Sequence, residues 1–108
     1  MIDYIELGGE KRPVHFGNNA LRVFSIEKNV PLTELGNIAQ MNYDVLISLL
    51  FAGVRDGYRK EKKEFSIQIE DFCDWLDEGS RLEDMMNLYV SQYAGEDVEA
   101  KEGNQVSP

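Results

Sequence analysis

The residues of this chain that could do chemistry are few and stand apart from one another. His15 is the only histidine and Cys73 the only cysteine among 108 residues. A cysteine nucleophile acts as a thiolate, but Cys73 lies on the apolar side of a predicted helix, where a thiolate is disfavoured. We therefore interpret Cys73 as a packing residue. An enzyme that pairs Cys73 with His15 stays open as an alternative.

Metal and cofactor chemistry is not indicated either. Zinc normally takes four nitrogen or sulfur ligands. The chain has one histidine and one cysteine, which are too few to complete such a set around His15. We interpret His15 as a half-buried strand residue or a surface imidazole. Gly8-Gly9 and Ala52-Gly53 lack the glycine-rich phosphate-binding pattern and its lysine. We therefore predict no catalytic residue, no metal and no cofactor.

A run of acids between residues 70 and 78 could suggest calcium binding or acid/base catalysis. A calcium loop would alternate its acids around a central glycine, whereas here apolar residues interrupt the acids at the spacing of a helix. That pattern is typical of the solvent face of an amphipathic helix. The acids are Glu70, Asp71, Asp74, Asp77 and Glu78.

Alternating residue types at the start of the chain predict a β-hairpin over residues 1–16. Residues 2–7 are rich in β-branched and aromatic types, and Gly8-Gly9 suits a tight reversal before the returning strand. Pro13 cannot donate to a ladder, so it belongs on an edge or at the start of a strand. Because a hairpin of two strands is only marginally stable in water, this hairpin must pack against helices or pair with another chain.

Helical spacing dominates from residue 18 onward. We predict a first helix that ends near Asn29, a short helix at residues 33–35, and a longest helix that ends near Lys60. Two amphipathic helices follow, separated by Gly79. The residues predicted to cap or begin these helices are Asn18 or Asn19, Asn42 or Asp44, Ser66 and Ser80.

The predicted fold class is mainly α with an N-terminal β-hairpin, a small α+β domain with four to five helices packed around a central long helix. We expect one globular domain over residues 1–94, with the hairpin at 1–16 and the helical part at 18–94. From residue 95 onward the chain is polar and acidic and holds too little apolar surface to offset its ordering entropy. Residues 95–108 are therefore expected to form a disordered acidic tail.

The net charge of −9 is concentrated in the last third of the chain. Residues 1–69 hold nine acids and nine bases, while residues 70–108 hold eleven acids and two bases. This balance argues against binding to nucleic acid or to an anionic membrane, since both need clustered Lys and Arg. The basic run at residues 59–63 is either a solvated helix end or a phosphate-binding patch. Without a long apolar run or a leader pattern, we expect a cytoplasmic protein.

Aromatic and methionine residues on the later helices could form a binding surface, or they could close the core from the other side. The second side of the long helix is apolar as well, which leaves it either buried or available to a partner. The residues that we nominate for partner binding are Phe51, Trp75, Met85, Tyr89 and Tyr93.

Four segments, taken in order, carry a family resemblance. They are VHFGNNAL at residues 14–21 followed by Phe24, VPLTEL at 30–35, LLFAGV at 49–54 and IEDFCDWLD at 69–77. In this order and spacing the chain resembles, over roughly residues 12–78, the tail assembly chaperones of long-tailed bacteriophages and prophages. Residues 80–108 depart from the pattern.

The resemblance implies a non-enzymatic protein of the bacterial host cytoplasm that binds the tape measure protein and helps recruit tail tube subunits around it. It also implies no cofactor. In many such families a ribosomal frameshift near the end of the reading frame makes a longer second product. A competing interpretation is a small interaction or regulatory module of a mobile element, which would form a homo-oligomer through the edge of its hairpin.

Overall fold

The computed structural model describes residues 2–102, with side chains for residues 2–93. An antiparallel hairpin of β1 (Asp3–Leu7) and β2 (Glu10–Val14) comes first. The helices that follow are α1 (Asn18–Lys28), two short 3₁₀ helices (Leu32–Gly36 and Ile38–Gln40), α2 (Tyr43–Lys60), α3 (Ile69–Leu76) and α4 (Arg81–Glu102). The small α+β class predicted from the sequence is confirmed.

The hairpin closes through a two-residue turn at Gly8 and Gly9, whose φ angles are 63° and 83°. Glycine adopts positive φ without the steric penalty that a Cβ would bring, so this pair suits the tight turn. The register places Leu7 opposite Glu10 and continues without a bulge to the far end of both strands. The predicted hairpin is confirmed, although β2 ends at Val14.

α2 is the element on which both the hairpin and α1 pack, and it also contacts α3 and α4. β2 crosses α2 so closely that a Cβ added at Gly57 would lie 2.4 Å from the carbonyl oxygen of Pro13. The backbone N–H of His15 donates to the carbonyl of Gly53 at 2.9 Å. Two glycines of α2 therefore set how near the hairpin can approach.

One apolar core forms between the inner face of the hairpin, α1, α2, α3 and one side of α4. Its buried members are Ile5, Leu7, Val14, Phe16, Ala20, Phe24, Leu35, Ile38, Leu46, Ile47, Leu49, Leu50, Ala52, Val54, Phe72, Leu76, Met85 and Tyr89. On the second apolar side of α2, Leu49 and Ala52 are buried, whereas Val45 and Phe51 are only partly buried. That side is thus mostly covered by the chain itself.

α4 extends further than the sequence pattern predicted. It has 22 residues against 18 in α2, so the prediction that α2 is the longest helix is wrong. The stretch after Gly95 is rich in Glu, Ala and Lys, whose intrinsic propensity favours a helix even where apolar spacing stops. The predicted disordered tail starts inside α4, and residues 103–108 lie outside the described part of the chain, so that expectation stays a prediction. Within residues 2–102, no helix reaches the length and apolar content needed to cross a bilayer.

Two of the predicted helix starts are confirmed, since Asn42 is at the N-cap of α2 and Ser80 directly precedes α4, whereas the starts of α1 and α3 differ from the prediction. α1 has Gly17 at its N-cap and no side-chain cap hydrogen bond, so neither Asn18 nor Asn19 caps it. α3 has Gln68 rather than Ser66 at its N-cap. α1 and α3 therefore begin without a side-chain cap, whose contribution to helix stability is modest.

Candidate functional site

His15 lies directly after β2 and is held by a carboxylate of α2. Its Nδ1 is 2.7 Å from Oδ2 of Asp56, which is only 5% exposed. The other oxygen of Asp56 accepts a hydrogen bond from Nε of Arg59 at 2.8 Å. A buried carboxylate needs such partners, so Asp56 anchors the end of the hairpin to α2. Sequence reasoning missed this pair; the available signal was an acid between Gly53 and Gly57 on the apolar side of α2.

Cys73 is partly buried on α3, whereas His15 follows β2 and its Nδ1 is engaged by Asp56 of α2. Burial raises the pKa of the Cys73 thiol, and the nearby carboxylates of Asp74 and Asp77 raise it further. A raised pKa keeps the sulfur protonated near neutral pH, which is the opposite of what a nucleophile needs. The described residues therefore offer no activated cysteine.

Metal-ligating side chains do not converge in the part of the chain that the structure describes. No group of three or more His, Cys, Asp or Glu side chains is placed there so that it could hold an ion. The acids at positions 70, 71, 74, 77 and 78 are exposed, while Phe72 and Leu76 of the same helix are buried. Their interpretation as a solvent face is confirmed.

Two of the five nominated partner residues, Met85 and Tyr89, belong to the core. Both are almost completely buried. The Tyr89 ring meets Phe16 edge to face with centroids 5.0 Å apart, and its hydroxyl donates to the carbonyl of Leu35. The desolvation that comes with burial raises the pKa of Tyr89 well above its ordinary value. Their assignment to a partner surface is wrong, because α4 turns this side toward the hairpin and the first 3₁₀ helix.

Trp75 and Tyr93 are partly buried, and the chain itself covers part of each. The guanidinium carbon of Arg12 lies 4.2 Å from the centre of the Trp75 ring, which is a cation–π contact. Tyr93 stacks on Tyr89 with ring centroids 5.4 Å apart. Both keep some accessible surface, so a role in partner binding stays a prediction for these two residues.

Phe51 is the nominated residue that lines a concave surface. Its ring packs against Phe65 and Phe72, with centroid separations of 5.4 Å in both cases. The same side chain lines a cavity of about 310 Å³ between α2 and the segment that leads into α3. A larger cleft of about 540 Å³ between α1 and α2 shares Ala52 and Arg55 with this cavity. We call the two together the α1–α2 groove.

The α1–α2 groove has an apolar floor. Its apolar side chains come from α1, from α2 and from the segment between α2 and α3. They are Ala20, Val23, Phe51, Ala52, Phe65 and Ile67, together with Ile69 at the start of α3. A floor of this kind suits the apolar face of an amphipathic helix, which presents side chains at a helical spacing along one strip.

Basic side chains edge the larger half of the groove. They are Arg22, Arg55, Arg59 and Lys63. The acid among the lining residues of this half is Asp56, and both of its oxygens are already engaged by His15 and Arg59. Arg55 is also within 3.8 Å of Glu27, which lines the smaller half. Against a net charge of −9 for the chain, this half of the groove is locally positive.

The start of α1 adds to this positive character. Asn19 and Ala20, in its first turn, line the groove, and no side chain caps the helix. The first N–H groups of a helix lack intrahelical acceptors, and the helix dipole places positive charge at this end. The sequence indicates the basic run at residues 59–63, but sequence reasoning did not connect it with Arg55, which lies one helical turn before Arg59 on the same side of α2.

Comparison of the chain with protein-family models, with curated proteins and with solved structures gives no match. A functional proposal therefore depends on the resemblance described above and on the geometry of the α1–α2 groove.

Proposed function

We propose that the protein is a non-enzymatic tail assembly chaperone of a long-tailed bacteriophage or prophage, acting in the cytoplasm of the bacterial host. Its client is the tape measure protein, around which it assists the assembly of tail tube subunits. Two observations support the proposal: the four ordered segments over residues 12–78, and a groove built within that same stretch. The function includes no catalytic step and no cofactor.

The observation that carries the proposal is the combination of an apolar floor and a basic rim in the α1–α2 groove. The residues that line it fall between positions 19 and 69, inside the resembling stretch. An amphipathic helix of the client would lay its apolar face on the floor near Phe51 and point an acidic flank at Arg22 and Arg55. Complementary charge of this kind sets the orientation of a partner and speeds its association.

Co-purification with the tape measure protein tests the proposal. The chain is co-expressed with overlapping fragments, and with the full length, of the long helical protein encoded in the neighbouring reading frame, and the client is captured through a tag. We expect retention of the chain that weakens as salt is raised, because exposed charges are screened. Failure of the full-length client and of every fragment to retain the chain would overturn the proposed function.

Charge reversal separates the groove from the rest of the surface. Arg22→Glu with Arg55→Glu changes the charge of the rim by as much as Lys11→Glu with Lys60→Glu changes the charge elsewhere. We expect about a tenfold weaker retention for the first pair and a change within about twofold for the second. Phe51→Ala should also weaken retention, provided that circular dichroism shows a native helix content. Equal losses for the two charge pairs would count against the groove as the binding site.

A further inference from the structure

The two edges of the β-hairpin differ in how they are protected. On β2, Pro13 has no N–H, and Gly57 of α2 lies directly against the Pro13 carbonyl. Beyond β2, the carbonyl of Gly53 accepts a hydrogen bond from the backbone N–H of His15. β1, in contrast, contains neither proline nor lysine. Natural proteins normally blunt or cover their edge strands. The protection of β1 is limited to the acids Asp3 and Glu6, so its outward backbone groups stay open to a pairing partner.

The register shows which backbone groups of β1 are free. A two-residue turn closes on a hydrogen-bonded pair, here Leu7 with Glu10, and bonded and non-bonded pairs then alternate along the ladder. Tyr4 with Pro13 is consequently a non-bonded pair, which fits a proline that has no N–H to donate. The N–H and C=O groups of Tyr4 and Glu6 therefore point away from β2, toward the open edge.

An open cleft of about 530 Å³ runs beside this edge. One wall is β1, through Tyr4, Ile5 and Glu6, and the other is the flank of α4 that carries Arg81 and Leu88. Tyr4 is 52% exposed and Leu88 is partly exposed, so apolar surface faces the cleft from both walls. The cleft therefore leaves the outer side of β1 accessible next to α4.

Arg81 brings an unsatisfied donor to the same cleft. Its Nε is buried and has no hydrogen-bond partner among the residues that the structure describes. The terminal nitrogens of its guanidinium lie 3.5 Å from Glu6 and 3.8 Å from Asp84, which are long ion pairs rather than close hydrogen bonds. A buried donor without an acceptor is uncommon in a native protein. The long contacts of the terminal nitrogens leave the Arg81 guanidinium able to turn toward an acceptor brought by a partner.

We infer that the β1 edge is a self-association site, at which a second copy of the chain adds its own β1 in antiparallel orientation. The two-fold axis runs perpendicular to the sheet and passes between the two Ile5 residues. In this register Tyr4 of each copy faces Glu6 of the other, and each such pair exchanges both of its free hydrogen bonds. The two hairpins then form one continuous sheet, with both α4 helices on the same face.

The side chains of β1 favour a second copy over an unrelated extended peptide. Pairing about Ile5 places Glu6 opposite Tyr4 and Asp3 opposite Leu7, so that no two carboxylates face one another. The acid at position 3 of the second copy then arrives beside Leu7, next to the Glu6 that Arg81 contacts. One oxygen of that carboxylate accepts from Gln92 of its own copy, and we assign its other oxygen as the acceptor for Arg81.

Sedimentation equilibrium of the full chain tests the inference. We expect a reversible monomer–dimer equilibrium that shifts toward dimer as salt is raised, because each copy carries a net charge of −9 and salt screens the repulsion. A mass that stays monomeric at every concentration and salt level would overturn the proposal.

A proline placed on each edge in turn separates β1 from β2. Tyr4→Pro removes a free N–H from β1 at a position that makes no hydrogen bond within the hairpin, as Pro13 does on β2. We expect it to weaken dimerisation by at least about tenfold. Lys11→Pro is the matched control, since it places a proline at a non-bonded position of β2 and should leave the dimer intact. Wild-type dimerisation of Tyr4→Pro would contradict the inference.

Disulfide cross-linking tests the register even if Tyr4→Pro fails to fold. In a Cys73→Ser background, oxidation of Tyr4→Cys mixed with Glu6→Cys should give a mixed dimer, because paired residues at a bonded site have Cα atoms about 5.5 Å apart. Either variant alone should cross-link far more slowly, and equal rates in all three samples would refute the proposed pairing. Since the β1 edge shares no residue with the α1–α2 groove, failure here is distinguishable from failure of the chaperone proposal.

Discussion

The side-chain oxygen of Gln92 accepts the backbone N–H of Phe16 at 2.7 Å, although the two residues are 76 positions apart in the chain. The nitrogen of the same amide donates to the carboxylate of Asp3 at 2.9 Å and to the carbonyl of Val14 at 3.2 Å. Gln92 is buried, so these groups cannot form hydrogen bonds with water instead. One amide of α4 therefore ties the last helix to both strands of the hairpin.

Replacing Gln92 by leucine should lower the free energy of unfolding by about 2 kcal/mol, because the buried N–H of Phe16 loses its acceptor and the carbonyl of Val14 loses one of its donors. Urea unfolding followed by circular dichroism measures the change. The matched control is Gln40→Leu at an exposed position, where we expect a change within about 0.5 kcal/mol. Equal effects at the two positions would show that the amide of Gln92 does not bridge the elements in solution.

Gly57→Ala should destabilise the protein even though alanine is the better helix former. Helix propensity alone would favour alanine by about 1 kcal/mol. The added Cβ, however, would lie 2.4 Å from the Pro13 carbonyl oxygen, and relieving that contact means moving β2 off α2. We expect a net loss of about 1–3 kcal/mol in urea unfolding.

Gly36→Ala provides the comparison for Gly57→Ala. The nearest atom to a Cβ at Gly36 is Cε2 of Tyr93 at 3.9 Å, which is an ordinary van der Waals contact. Here the restriction of the unfolded chain should dominate, and we expect a gain of about 0.4–1 kcal/mol. If both substitutions stabilised the protein, the close crossing of β2 over α2 would be contradicted.

The local elements of this fold could be predicted because their signals are local. Gly8-Gly9 supplied the turn, and Pro31 marked the break before the first 3₁₀ helix. The helix starts were predicted at α2 and α4 but not at α1, which begins after Gly17 without an asparagine cap. Gly57 shows the reason most clearly: within α2 it looks like a weak helix former, and only the crossing strand explains it.

The candidate site was harder to predict, because periodicity identifies an apolar side of a helix but not what covers it. Met85 and Tyr89 on α4 and Phe51 on α2 share the same spacing pattern, yet the first two are core and the third lines the α1–α2 groove. Separating them requires knowing which helix packs on which. The pair of His15 and Asp56 was missed for the same reason, since it joins residues from two distant elements.

Stability should fall as pH rises above about 10, the ordinary pKa of tyrosine, and Tyr89 should contribute to that fall. Burial raises the pKa of Tyr89 in the folded protein. Below about pH 10 the phenol is protonated in both states. Above about pH 10, ionisation lowers the free energy of the unfolded chain, while the phenol of the native protein stays neutral. The contribution of Tyr89 to the free energy of unfolding is thus fully present below about pH 10. It decreases above that pH by up to about 1.4 kcal/mol per pH unit.

The measurement is urea unfolding at about pH 9 and about pH 11 for the native chain and for Tyr89→Phe. The variant should lose less stability between the two pH values, although it starts lower because the bond to the Leu35 carbonyl is gone. Tyr43→Phe, at an exposed tyrosine, is the matched control for the removal of a phenol hydroxyl. An unchanged dependence in Tyr89→Phe would contradict the burial of that hydroxyl.

Cys73 should react slowly with thiol reagents at neutral pH. Burial, together with Asp74 and Asp77, raises the pKa of its thiol, so little thiolate is present in the folded protein. Alkylation followed by mass spectrometry should show a rate at least about tenfold below that of the same chain unfolded in urea. Rapid labelling of the native protein would revive the alternative of a cysteine-dependent enzyme.

Asp56→Asn should change stability and client binding in opposite directions. The amide keeps the shape of the side chain but loses the charge that holds His15 and Arg59, so we expect a loss of about 1–3 kcal/mol in urea unfolding. The same change removes the acid that lines the basic half of the α1–α2 groove. If the client presents an acidic flank there, its retention by the folded variant should increase. Asp44→Asn, at an exposed acid outside the groove, is the matched control; weaker retention by folded Asp56→Asn than by this control would contradict an acidic client in the groove.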